Sequence, residues 1–248
     1  MNIFVFPTAD DLARHAAESF VTQANAAIDA RGRFAVAFSG GNTPRVIFRL
    51  LATEAFARRV NWSAVHCFWG DERCVPPNHA DSNFRLAWEI LLAPLGVSES
   101  NIYRMEGELP PAEAAARYNA RLRAFFRDAP LRFDLIHLGM GEDGHTASLF
   151  PGTAALAETE AKVVANAVPQ LNTMRLTFTA PLINEAQAVE FFVTGSGKAG
   201  VLREVLVGDR KDRYPAQMIH PTHGTLTWLV TADAAAQLPA ELVRQAVI

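Results

Sequence analysis

Within residues 137–152, HLGMGEDGHTASLFPG, positions 139–145 bring three glycines, two carboxylates and an imidazole together. Two chemistries use such a set. Gly139, Gly141 and Gly144 reproduce the G-x-G-x-x-G spacing of dinucleotide sites, where glycines let the backbone approach a pyrophosphate. Asp143-Gly144-His145 instead offers an imidazole, whose reference pKa near ~6.5 suits general-base work at neutral pH. The carboxylate two residues away could orient that ring or hold a substrate hydroxyl, and Gly144 permits the turn between them. Context separates the two readings. A dinucleotide fingerprint belongs to the first βαβ unit and opens a long helix. Here the glycines follow a later apolar run, and Pro151-Gly152 ends any helix within about two turns. The reading goes against a dinucleotide and toward acid–base chemistry.

Three other stretches combine glycine or hydroxyl residues with charge. In SGGNTP (39–44), Ser39, Gly40 and Gly41 lead into a helical pattern, with Thr43 as the expected N-cap and Pro44 as the first helical residue. The glycines allow backbone N–H groups to turn toward an anion at the positive end of that helix. No Gly-Lys-Ser/Thr follows, so this is not a Walker A loop; an ordinary strand-to-helix turn uses the same residues. In GDER (70–73), Arg73 reads either as a surface ion pair with Asp71 or Glu72 or as a bidentate phosphate clamp. In GSGK (195–198), Lys198 stands in the first turn of a helix. The dipole disfavours a cation there, so an intervening anion explains the choice better than a solvated lysine does.

The remaining reactive residues read as structural. His220 and His223 lie at i, i+3 in HPTH, but no Cys/Asp set and no HExxH accompanies them. They are expected in a turn beside the last strand, with His223 within reach of the site's rim. Cys67 and Cys74 form no CxxC pair, and Cys67 reads as a small hydrophobe in a buried strand.

The elements that must hold these loops alternate. Strand-like runs cover 3–6, 34–38, 65–69, 134–138, 162–166, 175–179, 188–193 and 226–230. Helical patterns fill 9–30, 44–57, 83–93, 111–127, 181–186, 197–207 and 239–246. This alternation predicts an α/β fold, a single doubly wound, Rossmann-like domain over 1–248 with a mostly parallel central sheet flanked by helices on both faces. Ligands of such open sheets bind outside the carboxyl ends of the strands. All four loops follow strands, so one edge should collect them. The chain of 248 residues is 50% hydrophobic and 20% charged with a formal net charge of −3, which argues against extended nucleic-acid binding. No run approaches the roughly 20 apolar residues of a membrane span. The start, MNIFVFPTADDLARH, lacks the charged and apolar regions of a secretory signal, and the unpaired cysteines suggest a reducing cytoplasm.

At the four loops the sequence resembles the 6-phosphogluconolactonase family, within the larger group that includes glucosamine-6-phosphate deaminase/isomerase. VAFSGGNTP, FWGDERCVPPNHADSNFRLA, LIHLGMGEDGHTASLFPG and FFVTGSGKAGVL occur in family order across essentially the whole chain. The resemblance implies hydrolysis of 6-phospho-D-glucono-1,5-lactone to 6-phosphogluconate in the cytosolic pentose phosphate pathway, with no required metal or organic cofactor. It implies that His145 activates water and Asp143 supports it. Ser39, Gly40, Arg73 and Lys198 would hold the phosphate, with Gly41, Asp71 and Gly141 completing the substrate-binding set. The deaminases share the Asp-Gly-His triplet, but carry glutamate where this chain has Phe150 and typically tyrosine where it has Arg73. A lactone needs one base and some oxyanion stabilisation, so the lactonase is favoured over the deaminase. It is also favoured over a non-catalytic sugar-phosphate sensor, because the chain starts directly at a strand and retains His145. Protein partners are left open.

Overall fold

Five consecutive buried residues, Phe34–Phe38, show how the chain builds two layers around one sheet. Alternate side chains of a strand point to opposite faces. Ala35 and Ala37 join a cluster with Tyr118, Leu122 and Leu202, while Phe34, Val36 and Phe38 join another with Phe20 and Phe48. Strands covered on both faces are apolar throughout.

The computed structural model describes residues 1–127, 130–210 and 213–245. In chain order the elements are β1 (Asn2–Phe6), α1 (Ala9–Arg31), β2 (Phe34–Phe38), α2 (Asn42–Leu51), α3 (Glu54–Ala57), β3 (Val65–Trp69), β4 (Asp71–Arg73), α4 (Asn83–Ala87), α5 (Pro111–Phe126) and β5 (Leu135–Gly139). Then follow β6 (Val163–Val168), β7 (Thr173–Phe178), α6 (Ala180–Asn184), β8 (Ala188–Val193), α7 (Ala199–Val207), β9 (Thr225–Thr231) and β10 (Arg244–Gln245). Seven strands form a parallel sheet in the order β10-β1-β9-β8-β5-β2-β3. Helices α1 and α2 cover one face and α5 and α7 the other. The doubly wound α/β expectation therefore holds. Helix α1 shows the local logic: Thr8 Oγ1 accepts the Asp11 N–H (3.1 Å), Gly32 ends the helix at φ 71°, and Leu12, Ala16, Phe20, Ala24 and Ala27 are buried along one stripe.

Four expectations need correction. The runs at 162–166 and 175–179 are not in the central sheet; β6 and β7 form an antiparallel hairpin that pairs with β4 in a separate sheet, β4-β7-β6. A parallel pair needs a crossover of a dozen or more residues, and only the short turn at Pro169–Leu171 and a left-handed Asn172 (φ 46°) connects these two. The stretch after β3 is likewise part strand, since Asp71–Arg73 is β4. The helix expected at 239–246 is a 3₁₀ turn, Ala240–Leu242, followed by β10, because the open edge of β1 pairs with it; residue 246 lies outside the described residues. The helical pattern at 44–57 divides into α2 and α3 at Thr53, whose hydroxyl bonds the Leu50 carbonyl (2.6 Å).

Candidate active site

Strands β8, β5, β2 and β3 are neighbours in the sheet, so the loops that follow them emerge side by side. From β2 the chain steps outward to β3, then returns to the other side of β2 for β5, β8 and β9. The gap between β2 and β5 is thus the topological switch point, where doubly wound sheets open a crevice. A cleft of about 290 Å³ lies there, and Ser39, Gly40, Gly41, Asp71, Arg73, Gly141, His145 and Lys198 all line it. Asp143 does not line it but stands behind His145.

The loop after β2 opens α2 at its first turn. Helix α2 starts at Asn42, one residue before the expected Thr43 cap; Gly41 is the N-cap, at φ 103°, and offers no side chain. The first-turn N–H groups consequently carry no side-chain acceptor and remain available to an anion. Thr43 Oγ1 instead meets Thr194 Oγ1 (3.3 Å), tying this loop to the one after β8. Gly40 is required by close approach, since a Cβ there would lie 1.8 Å from Asn83 Oδ1.

Neither acid beside Arg73 pairs with its guanidinium. Glu72 is buried and accepts the backbone N–H groups of Arg73, Asn83 and Phe84 (each 2.8 Å) and the Ser82 hydroxyl (3.0 Å). Burial pushes its pKa up, and the backbone donors oppose that. Asp71 is held by Ser148 Oγ (2.7 Å) and Asn83 Nδ2 (3.2 Å). Arg73 Nη1 donates to the Asp81 carbonyl, which aims a fixed cation at the cleft. Lys198 ends the 3₁₀ turn Ser196–Lys198 and caps α7. Burial lowers its pKa and Glu142 opposes the shift, so a half-buried ammonium faces the same space.

The imidazole is held on three sides. His145 Nδ1 lies 2.6 Å from Asp143 Oδ1, which also accepts the His145 backbone N–H (3.1 Å). Gly141 is required beneath it, because a Cβ would fall 2.2 Å from Nδ1. Phe150 stacks on the ring at 4.1 Å between centroids and 23° between planes. With Nδ1–H donated to the carboxylate, Nε2 carries the free lone pair, the arrangement of a general base.

His220 and His223 are exposed and precede β9, whose amino end lies at the opposite edge of the parallel sheet; His223 does not reach the rim of the cleft. Among the described residues, no group of three or more His, Cys, Asp or Glu is placed to hold a metal. Among the described residues, no helix is long and apolar enough to cross a membrane. The cleft also uses Asn42, Asn83, Met140, Ala147 and Phe192, which sequence reasoning did not single out. Ser82-Asn83 in a capping position was the one available signal, as Ser82 Oγ accepts the Arg85 N–H (3.1 Å).

An α/β crevice with a carboxylate-held imidazole at one side and an uncapped helix terminus near two cations is the arrangement of an enzyme-like site that pairs an acid–base group with a place for an anion. The comparisons are narrower. Residues 7–228 match the family described as glucosamine-6-phosphate isomerases/6-phosphogluconolactonase, and the chain belongs to it. It is 38% identical over 239 residues to 6-phosphogluconolactonase of Nostoc sp., covering 94% of this chain and 97% of that one. It is 41% identical to the Synechocystis sp. protein of the same name over 223 residues, 88% of this chain and 90% of the relative. The solved structure of 6-phosphogluconolactonase from Trypanosoma brucei superposes with a TM-score of 0.86 at 25% identity, covering 96% of this chain and 98% of that one.

Proposed function

We propose that this chain hydrolyses 6-phospho-D-glucono-1,5-lactone to 6-phosphogluconate, the second step of the oxidative pentose phosphate pathway. The observation that carries the reading is the 2.6 Å contact between Asp143 and His145, set in a cleft that also holds Arg73, Lys198 and the uncapped start of α2. The phosphate sits against Ser39, Gly40 and Gly41 with Arg73 and Lys198, at the positive helix end. His145 Nε2 takes a proton from water as its oxygen attacks the lactone carbonyl. The resulting imidazolium is held by Asp143. Collapse of the tetrahedral oxyanion breaks the acyl C–O bond of the ring, and the leaving ring oxygen takes the proton from His145 to become a hydroxyl. The carboxylic acid formed ionises to solvent. Asp71 and Gly141 complete the walls. Two free cysteines, one buried and one half-buried, support a reducing, cytoplasmic setting.

The alternative within the family is deamination of glucosamine 6-phosphate. Phe150 places an apolar ring, 5% exposed, against His145, where a second acid/base group would be needed for sugar ring opening. That favours the lactonase. An assay of lactone hydrolysis near neutral pH, corrected for spontaneous opening and run beside deamination of glucosamine 6-phosphate, tests the choice. Turnover of the amine and none of the lactone would reverse it.

A further inference from the structure

Directly opposite residues of an antiparallel ladder project from one face. In the β4–β7 pair Asp71 stands opposite Thr177 and Arg73 opposite Arg175. Asp71 and Arg73 line the cleft, so this face of the small sheet is turned toward the site; Arg175 belongs to the same face, directly across the ladder from Arg73 and just outside the lining of the empty cleft. The loop that carries His145 is fastened to the same face. The Ser148 N–H donates to Thr177 Oγ1 (3.1 Å), Ser148 Oγ to Asp71 Oδ2 (2.7 Å), and the amide of Asn166, opposite Arg175 on β6, to the Ser148 carbonyl (2.9 Å).

Like charges directly opposite on a ladder repel, and a half-buried guanidinium loses hydration as well. Both effects act on Arg175: its pKa is lowered, by burial first and by Arg73 next. Asp71 and Glu72 oppose the shift without reversing it, and their oxygens are already engaged. Glu72 is filled by three backbone N–H groups and a hydroxyl, and Asp71 by Ser148 and Asn83. Among the described residues, no carboxylate lies within 4 Å of either guanidinium. A pair of facing cations beside a ligand cleft, with no carboxylate in direct contact, is completed by an anionic group of the ligand.

We propose that Arg175 is a further substrate-binding residue, an oxyanion-recognising guanidinium that works beside Arg73. The proposal rests on the lactonase reading for its ligands, which carry two such groups: the phosphate, and the carboxylate released when the ring opens. Planar guanidinium forks suit either oxyanion.

The test measures binding by calorimetry of 6-phosphogluconate (both groups), sorbitol 6-phosphate (phosphate only) and gluconate (carboxylate only) to the parent, Arg175→Gln and Arg175→Lys. Arg175→Gln is expected to weaken 6-phosphogluconate about tenfold or more, the loss of a charge-assisted hydrogen bond. The single-group ligand that weakens with it identifies the oxyanion, and Arg175→Lys should fall between, keeping the charge without the fork. Removing the repelling charge should leave the thermal midpoint of the unliganded protein unchanged or raised. Undiminished 6-phosphogluconate binding in Arg175→Gln overturns the proposal. So does a lowered midpoint in both variants, which would make Arg175 a structural residue. Lactone hydrolysis by the parent is assayed in parallel; its absence would count against the lactonase reading and not against Arg175 as an oxyanion ligand.

Discussion

Replacing Asp143 by Asn isolates what the carboxylate does for His145. The substitution keeps the shape and removes the charge at a 2.6 Å contact. Two effects follow. The imidazolium that forms as water is deprotonated loses a charge-assisted hydrogen bond worth about 1.5–3 kcal/mol, which corresponds to roughly 10- to 150-fold in rate. The side chains are 31% and 44% exposed for His145 and Asp143, so solvent screening places this electrostatic loss at the lower end. The second effect is independent of screening. An asparagine amide that turns its NH₂ toward Nδ1 forces the proton onto Nε2, and the ring then has no lone pair facing the cleft. The upper limit is therefore the full contribution of a general base, about 10²–10⁴. His145→Ala should reach that limit. Asp143 does not line the cleft, so the loss is expected in kcat with KM unchanged. The assay follows 6-phosphogluconate formation above the spontaneous rate, with circular dichroism to confirm the fold. Parent-like kcat in folded Asp143→Asn would refute the dyad, and a loss confined to KM would move Asp143 to substrate binding.

Three other outcomes are expected. Phe150→Leu removes an aromatic face from His145, and a stacked pair is worth about 0.5–1.5 kcal/mol, so kcat should fall about 2- to 10-fold with a native circular dichroism spectrum; unchanged kcat would make Phe150 core filler only. Glu190 is buried, accepts Ser19 Oγ and Gln23 Nε2 on Oε1, leaves Oε2 unpartnered 3.9 Å from His137 Nε2, and has its pKa raised by burial from 4.5 to about 7. The folded state thus holds this proton more tightly than the unfolded chain, so Glu190's contribution is present below pH 4.5 and is lost as pH rises through about 7. Glu190→Gln should therefore stabilise at pH 8, on the order of 3 kcal/mol at the limit, and do little at pH 4.5; equal urea midpoint shifts at both pH values would contradict this. Activity should survive exhaustive dialysis against a chelator, because the histidines nearest to a ligand pattern, His220 and His223, lie at the far edge of the sheet and no His, Cys, Asp or Glu cluster is placed for a metal among the described residues; loss of activity restored by added metal would overturn it.

The central sheet was legible because near-continuous apolar runs such as FAVAF and AVEFFV, the second interrupted only by Glu190, call for two covering layers. The site loops were legible for a related reason: each followed such a strand, and the sheet rule fixes which edge receives them. What escaped depends on contacts distant in sequence. The β4 strand is three residues long and pairs only with β7, about 100 positions later. The eight residues between the two expected strands at 162–166 and 175–179 already forbade a crossover, and that count would have exposed the hairpin. Thr43 has the composition of an N-cap, yet Gly41 takes the position because the loop must turn at φ 103°. The last segment reads as helical by composition, and the unpaired edge of β1 overrides that preference.

The small sheet supplies what a doubly wound sheet alone does not. In the central sheet the loops after β3 and β5 leave strands separated by β2, so nothing in that layer brings Asp71 against the His145 loop. The β4–β7–β6 sheet does so. It turns Asp71 and Thr177 to one face, and the tight turn Thr146–Leu149 lands Ser148 on both of them. That landing forces Ala147 to φ 47°, a left-handed conformation that costs a non-glycine residue on the order of 1 kcal/mol and persists only where surrounding bonds over-determine it. Here Ser148 has three such bonds, counting the one from Asn166. Their product is the placement of Phe150, two residues on, against the imidazole. The base is therefore oriented from two directions, by Asp143 within its own loop and by a sheet whose strands β4 and β7 also carry the arginines.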